Sequence, residues 1–233
     1  INDNAGIQPV EVDPVIIEML EEAKYFYDLS NGEFDVTIGA LLHVWHNYRE
    51  EGITLNTNGE KGNVPTLDEL EKASINKGWD HVLIDTKKNT VYIDDTHISL
   101  DVGGIAKGFA TEKIAQSLED EGITTGAINA GGNNRTLGQK YDGSNWRVGI
   151  QNPKGSDSIL VVNMDGKCSF VTSGDYERYF EASDGNKYHH IIDPKTLFPA
   201  TNFHSVSIIT EDSGVADCLS TTLFTLSYEE VLK

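Results

Sequence analysis

Leu100-Asp101-Val102-Gly103-Gly104-Ile105-Ala106-Lys107-Gly108 is a short apolar run, a glycine pair and the opening of a helix, with a lysine in the helix's first turn. What flanks this junction sets the fold class. Upstream, from Trp79, apolar residues come in short runs at 81–84, 91–93 and 98–100, a spacing that predicts sheet. Downstream, the pattern predicts a helix over 105–121 and strands near 127–130, 146–151, 159–164, 169–172 and 204–210. A last helix over 215–226 follows, with Ser213 as its cap. Before the junction, Asp13-Pro14 opens an amphipathic helix that Ser30-Asn31-Gly32 stops, and Ala40, Leu41, Val44 and Trp45 suggest a second. The polar stretch 50–63 reads as a surface loop, and Thr66 to Glu69 as a capping box. Strands and helices intermingle without a regular βαβ alternation, repeat or linker. The expectation is one α+β domain over residues 1–233, with mixed or antiparallel sheets and packed helices.

Charge narrows the function classes. With 18 Lys+Arg against 37 Asp+Glu, the formal net charge is −19. Such a surface repels polyphosphate, so no nucleic-acid partner is expected. No apolar run approaches the roughly 18 residues of a spanning helix. Two cysteines, Cys168 and Cys218, build neither a disulfide framework nor a thiolate metal cluster.

The glycine pair and Lys107 read either as a tight turn or as an anion cradle, in which a helix N-terminus and a lysine meet a phosphate. It matches neither a P-loop nor a dinucleotide fingerprint. Asn129-Ala130-Gly131-Gly132-Asn133 is a plain turn or a place where a ligand approaches backbone. Gly32-Glu33-Phe34-Asp35 sets an aromatic and a carboxylate after a helix stop, suited to a ring and a hydroxyl or to an ordinary loop. In Tyr188 to Pro194, His189 and His190 point opposite ways along an extended run, and either is a candidate base near neutral pH. On the last helix, Asp217 and Thr221 share a face and offer two oxygens to a hard cation such as Mg²⁺; otherwise the threonine hydroxyl bonds the carbonyl of residue 217. An acidic protein that binds a pyrophosphate needs local cations, which favours Mg²⁺ with Lys107.

These blocks, with Trp146 to Gln151 and Thr172 to Tyr176, occur in an order and spacing that resembles the ApbE-type FAD:protein FMN transferases, from about residue 30 to 226. The resemblance implies a T-fold-like α+β architecture and an Mg²⁺-dependent reaction: FAD is split at its pyrophosphate, FMN is joined to a Thr or Ser hydroxyl of an acceptor protein, and AMP leaves. It further implies Asp217, Thr221 and the Gly104 carbonyl as metal ligands, and Asn2, Glu33, Phe34, Asp35, Asp101, Lys107 and Ile191 as FAD contacts. By the same resemblance His190, with His189 the other candidate, assists deprotonation of the acceptor hydroxyl. It implies an extracytoplasmic, membrane-anchored protein acting on an exported electron-transfer protein, with family segments beyond both ends of 1–233. Two other functions compete: an Mg²⁺-dependent FAD pyrophosphatase giving FMN and AMP, and a flavin-binding carrier without chemistry.

Overall fold

The computed structural model describes residues 1–232. In chain order the helices are α1 (Pro14–Leu29), α2 (Gly39–Thr57), α3 (Leu67–Ser74), α4 (Ala106–Asp120), α5 (Ser213–Thr225) and α6 (Tyr228–Val231). The strands are β1 (Val10–Glu11), β2 (Val82–Asp85), β3 (Thr90–Ile93), β4 (Ala127–Ala130), β5 (Asn133–Leu137), β6 (Trp146–Gln151), β7 (Ser158–Met164), β8 (Lys167–Gly174), β9 (Tyr179–Glu181), β10 (Lys187–His189) and β11 (Ser205–Thr210). All pairing between these strands is antiparallel, so the α+β class expected from the sequence is the class found. The chain forms two compact units: residues 1–102 with 175–201, and residues 103–174 with the chain from 202 onward.

The first unit holds the sheet β1-β3-β2, the ribbon β9-β10 and helices α1 to α3. Asp13 caps α1 by accepting from the Val15 N–H at 3.0 Å, with Pro14 as the first helical residue, and the helix ends ahead of Asn31 and Gly32 at φ 53° and 84°. Helix α2 runs to Thr57, so residues 50–57 are not the expected loop. Its buried face runs through Leu41, Trp45 and Gly52. The last of these is invisible to hydropathy because it buries backbone rather than a side chain. A Cβ at Gly52 would stand 2.4 Å from the Phe180 ring, so the helix continues only because nothing projects there. Ile38, Leu41, Trp45, Leu70, Phe180 and Ile192 form the core at this point, and the Trp45 Nε1–H donates to the Leu197 carbonyl at 2.8 Å. The expected strand at 98–100 is also absent. A single bridge joins Ser99 to Ile38, and the Leu100 backbone pairs instead with the side chain of Asn2.

The second unit carries the sheet β11-β8-β5-β4, the separate hairpin β6-β7 and helices α4 to α6. Helices α4 and α5 pack together and lie across the sheet, α5 over β8 and β11, α4 over β4 and β5. Gly131 and Gly132, at φ 58° and 97°, form the two-residue loop between paired Ala130 and Asn133, a turn that demands positive φ at both positions. Asp212, not Ser213, caps α5 by accepting from the Val215 N–H at 3.0 Å.

One buried ion pair ties this unit together. Arg135 on β5 donates to both Glu112 oxygens, at 2.9 and 3.2 Å, and Glu112 Oε2 also accepts from the Ser213 N–H that opens α5, at 2.9 Å. Burial works against the charged form of Glu112, but the Arg135 fork and the Ser213 amide outweigh it, and the carboxyl sits below its usual range.

Candidate active site

Helix α4 begins without a side-chain cap of its own: Ile105 occupies the cap position and no acidic residue lies in the first turn. A carboxylate from the neighbouring helix substitutes. Asp217 Oδ2 accepts from the Gly108 N–H at 2.8 Å, so a buried negative charge sits at the positive end of α4. This requires close helix packing, and Gly108 provides it. A Cβ there would lie 2.3 Å from the Ser213 carbonyl oxygen and 2.5 Å from the Asp217 Cβ. The glycine next to Lys107 is therefore a packing contact, a role with no sequence signal apart from the small side chain.

Asp217 is 3% exposed, and burial raises its carboxyl above the usual range against the opposing pull of Lys107, the Gly108 amide and the Asn133 side chain. Asn133, fully buried, follows the Gly131-Gly132 turn, and its Oδ1 lies 3.4 Å from Lys107 Nζ. The second glycine pair is thus a turn, and that turn sets Asn133 beside Lys107. One helical turn beyond Asp217, Thr221 is half-buried, and it is the Ser220 hydroxyl, at 3.0 Å, that bonds the carbonyl of residue 217. Cys218 is fully buried between them and acts as filler.

These donors suit a hard cation. Among the described residues no group of three or more His, Cys, Asp or Glu gathers, so the donor set is one carboxylate with neutral oxygens. Mg²⁺ is held in that way, by one or two carboxylates, with water and substrate phosphate completing its shell. A buried carboxylate pushed toward its neutral form is also one that a cation would stabilise as an anion. Asp217 and Thr221, one helical turn apart on α5, are the side chains of this unit that could contribute oxygens to such a cation.

In the first unit the candidate residues are largely occupied by the protein itself. Asn2 pairs with Leu100 through both amide atoms at 2.9 Å, fixing the backbone beside Asp101, whose N–H donates to the Val36 carbonyl at 2.8 Å. Glu33 is 7% exposed and ion-paired with Lys195. The Phe34 ring, 3% exposed, packs edge-on to Phe26 at 6.3 Å, so it belongs to the core and not to an open ring-stacking surface. Asp35 Oδ1 accepts from the Thr37 N–H at 2.8 Å and the Thr37 hydroxyl at 2.7 Å.

The two histidines separate cleanly. His189 is buried, its Nε2 lies 2.8 Å from the Ala200 carbonyl oxygen and its Nδ1 accepts from the Ile191 N–H at 3.2 Å. Burial depresses its pKa against the opposing Ala200 bond, and with Nδ1 accepting, Nε2 is the nitrogen that donates to the Ala200 carbonyl. It braces the loop that carries Ile191. His190 is half-buried, with its ring at 81° to that of His189.

The chain matches the ApbE family over residues 1–233 and belongs to it. It is 37% identical to a FAD:protein FMN transferase of Treponema pallidum, an alignment covering 99% of this chain and 65% of that protein. Against the Klebsiella pneumoniae protein of the same name it is 31% identical, covering 99% and 68%. The fold agrees with the crystal structure of the ApbE protein from Thermotoga maritima at a TM-score of 0.82 and 39% identity, over 97% of this chain and 69% of that one. It agrees with the flavin transferase ApbE from Vibrio cholerae at 0.78 and 30%, over 98% and 70%. The T-fold-like ApbE architecture is therefore the architecture of this chain, which spans about two thirds of these relatives' length.

Proposed function

We propose that this protein is an Mg²⁺-dependent FAD:protein FMN transferase. The acceptor's Thr or Ser hydroxyl oxygen bonds the phosphorus of the FMN half of FAD, the pyrophosphate P–O bond breaks, AMP leaves, and the hydroxyl proton passes to a base. The observation that carries this reading is the buried Asp217 at the uncapped start of α4, with Lys107 beside it, in a chain of the ApbE family. When bound, Mg²⁺ supplies charge neutralisation on the phosphates. Asp217, Thr221 and the Gly104 carbonyl hold it, and Lys107 binds phosphate as a point charge. His190 takes the hydroxyl proton; supporting this, both ring nitrogens of His189 are engaged in the loop. Asn2, Glu33 and Asp35 shape the backbone around Asp101 and Ile191, which face the flavin, and Phe34 supports that segment from the core.

We further place the protein outside the cytoplasm and at the membrane, with an exported electron-transfer protein as acceptor; the family resemblance supports this. Among the described residues no helix is long and apolar enough to cross a membrane.

Incubation with FAD, Mg²⁺ and an acceptor domain, followed by intact-mass measurement, tests the activity. The expected result is a gain of one FMN unit on the acceptor, abolished by a chelator. Free FMN and AMP with an unmodified acceptor would make the protein a pyrophosphatase, and intact FAD would make it a carrier.

A further inference from the structure

Lys107 immediately precedes Gly108, whose N–H donates to Asp217 Oδ2 at 2.8 Å, yet among the described residues the ammonium and the carboxylate form no ion pair within 4.0 Å. The ammonium lies instead 3.4 Å from Asn133 Oδ1. Asn133 is 0% exposed, and its Nδ2 is buried without a hydrogen bond of ordinary geometry. A buried amide of this kind is costly to keep unless it serves something. Without it, an ammonium and a carboxylate in a poorly solvated space would close on each other.

We infer that Asn133 is a positioning residue that keeps Lys107 and Asp217 apart. Its Oδ1 holds the ammonium and its Nδ2 faces the carboxylate, which leaves Asp217 available for a divalent cation and Lys107 for a phosphate. The inference rests on the flavin-transfer reading of this site. The Gly131-Gly132 turn is what delivers the amide, because the tight loop starts β5 at Asn133, where the strand pairs with Ala130 on one side and Val171 on the other.

The test is Mg²⁺ affinity of the purified chain by titration calorimetry, without flavin, in a double-mutant cycle. Asn133→Leu is expected to weaken Mg²⁺ binding about tenfold, because Lys107 then pairs with Asp217. In a Lys107→Met background the same change is expected to cost no more than about twofold, since no ammonium remains to close on the carboxylate. Asn133→Ser, which keeps one oxygen for Lys107, is the gentler second variant and is expected to fall between. Thermal midpoints without metal establish that each variant is folded. An equal loss in both backgrounds is what a packing role predicts, and it overturns the inference; so does unchanged affinity in Asn133→Leu. If the unaltered chain binds no Mg²⁺, the cation reading of the site fails first and this inference with it, an outcome distinct from a failed cycle.

Discussion

Asp35 and Asp217 are both carboxylates that burial pushes above the usual range, and their surroundings differ in origin. The partners that oppose the shift at Asp35 are chiefly its near neighbour Thr37, through hydroxyl and N–H, so a local turn satisfies it. Those at Asp217 come from α4 and β5, 84 to 110 residues away in sequence: Lys107, Gly108 and Asn133. A carboxylate satisfied within its own turn shapes a loop. One met by an amide, an ammonium and a helix N-terminus from separate elements is a place where charge is wanted, and that is why the cation and phosphate roles are proposed for the second unit.

The sharpest way to break this contrast is Asp217→Asn, expected to lower FMN transfer by about 10³-fold or more. A carboxyl raised above its unfolded pKa of about 3.9 costs stability once pH passes that value, so at pH 7 the metal-free variant should melt no lower than the parent. A large fall in its thermal midpoint would make Asp217 a structural residue like Asp35. Next in size, Arg135→Met should destabilise by about 3–4 kcal/mol in denaturant, since it strands a buried Glu112. Glu112 has the opposite sign from Asp217. Its lowered pKa contributes stability above about pH 4.3 that is lost as pH falls through the folded value, so Glu112→Gln should flatten the stability profile on the acid side of about pH 4.3.

Gly108→Ala should cost about 2–3 kcal/mol by forcing α4 from α5, and it should lower transfer as well because the Asp217 contact opens. The smallest expected effects divide the histidines. His190→Asn should slow transfer about 10²-fold with little change in melting. His189→Ala should instead cost about 1–3 kcal/mol of stability, leaving the Ala200 carbonyl and the Ile191 N–H unmet. Reversed results would exchange their roles.

Local chemistry made much of this legible. The Asp13-Pro14 start of α1 and the capping box at Thr66 depend on residues within four positions of each other, and both formed as the sequence predicts. The α4 and α5 helices and most strands followed from apolar period for the same reason. The misreadings share a cause in distance. Residues 50–57 are helical because Gly52 meets Phe180, and 98–100 is not a strand because Asn2 takes the backbone bonds of Leu100. The edge-on packing of the Phe34 ring against Phe26 is likewise not written in the loop that carries it.

By itself, then, the sequence determined the α+β class, the ordered blocks that mark the family, and the pairing of Asp217 with Thr221 on one helix, because each is written in short-range spacing. Only the tertiary structure decided that Gly108 lets two helices touch, that both ring nitrogens of His189 are engaged by its own loop, and that Asn133 meets Lys107. Those depend on which distant groups a buried polar atom meets, and burial and partnership are properties of the packed chain.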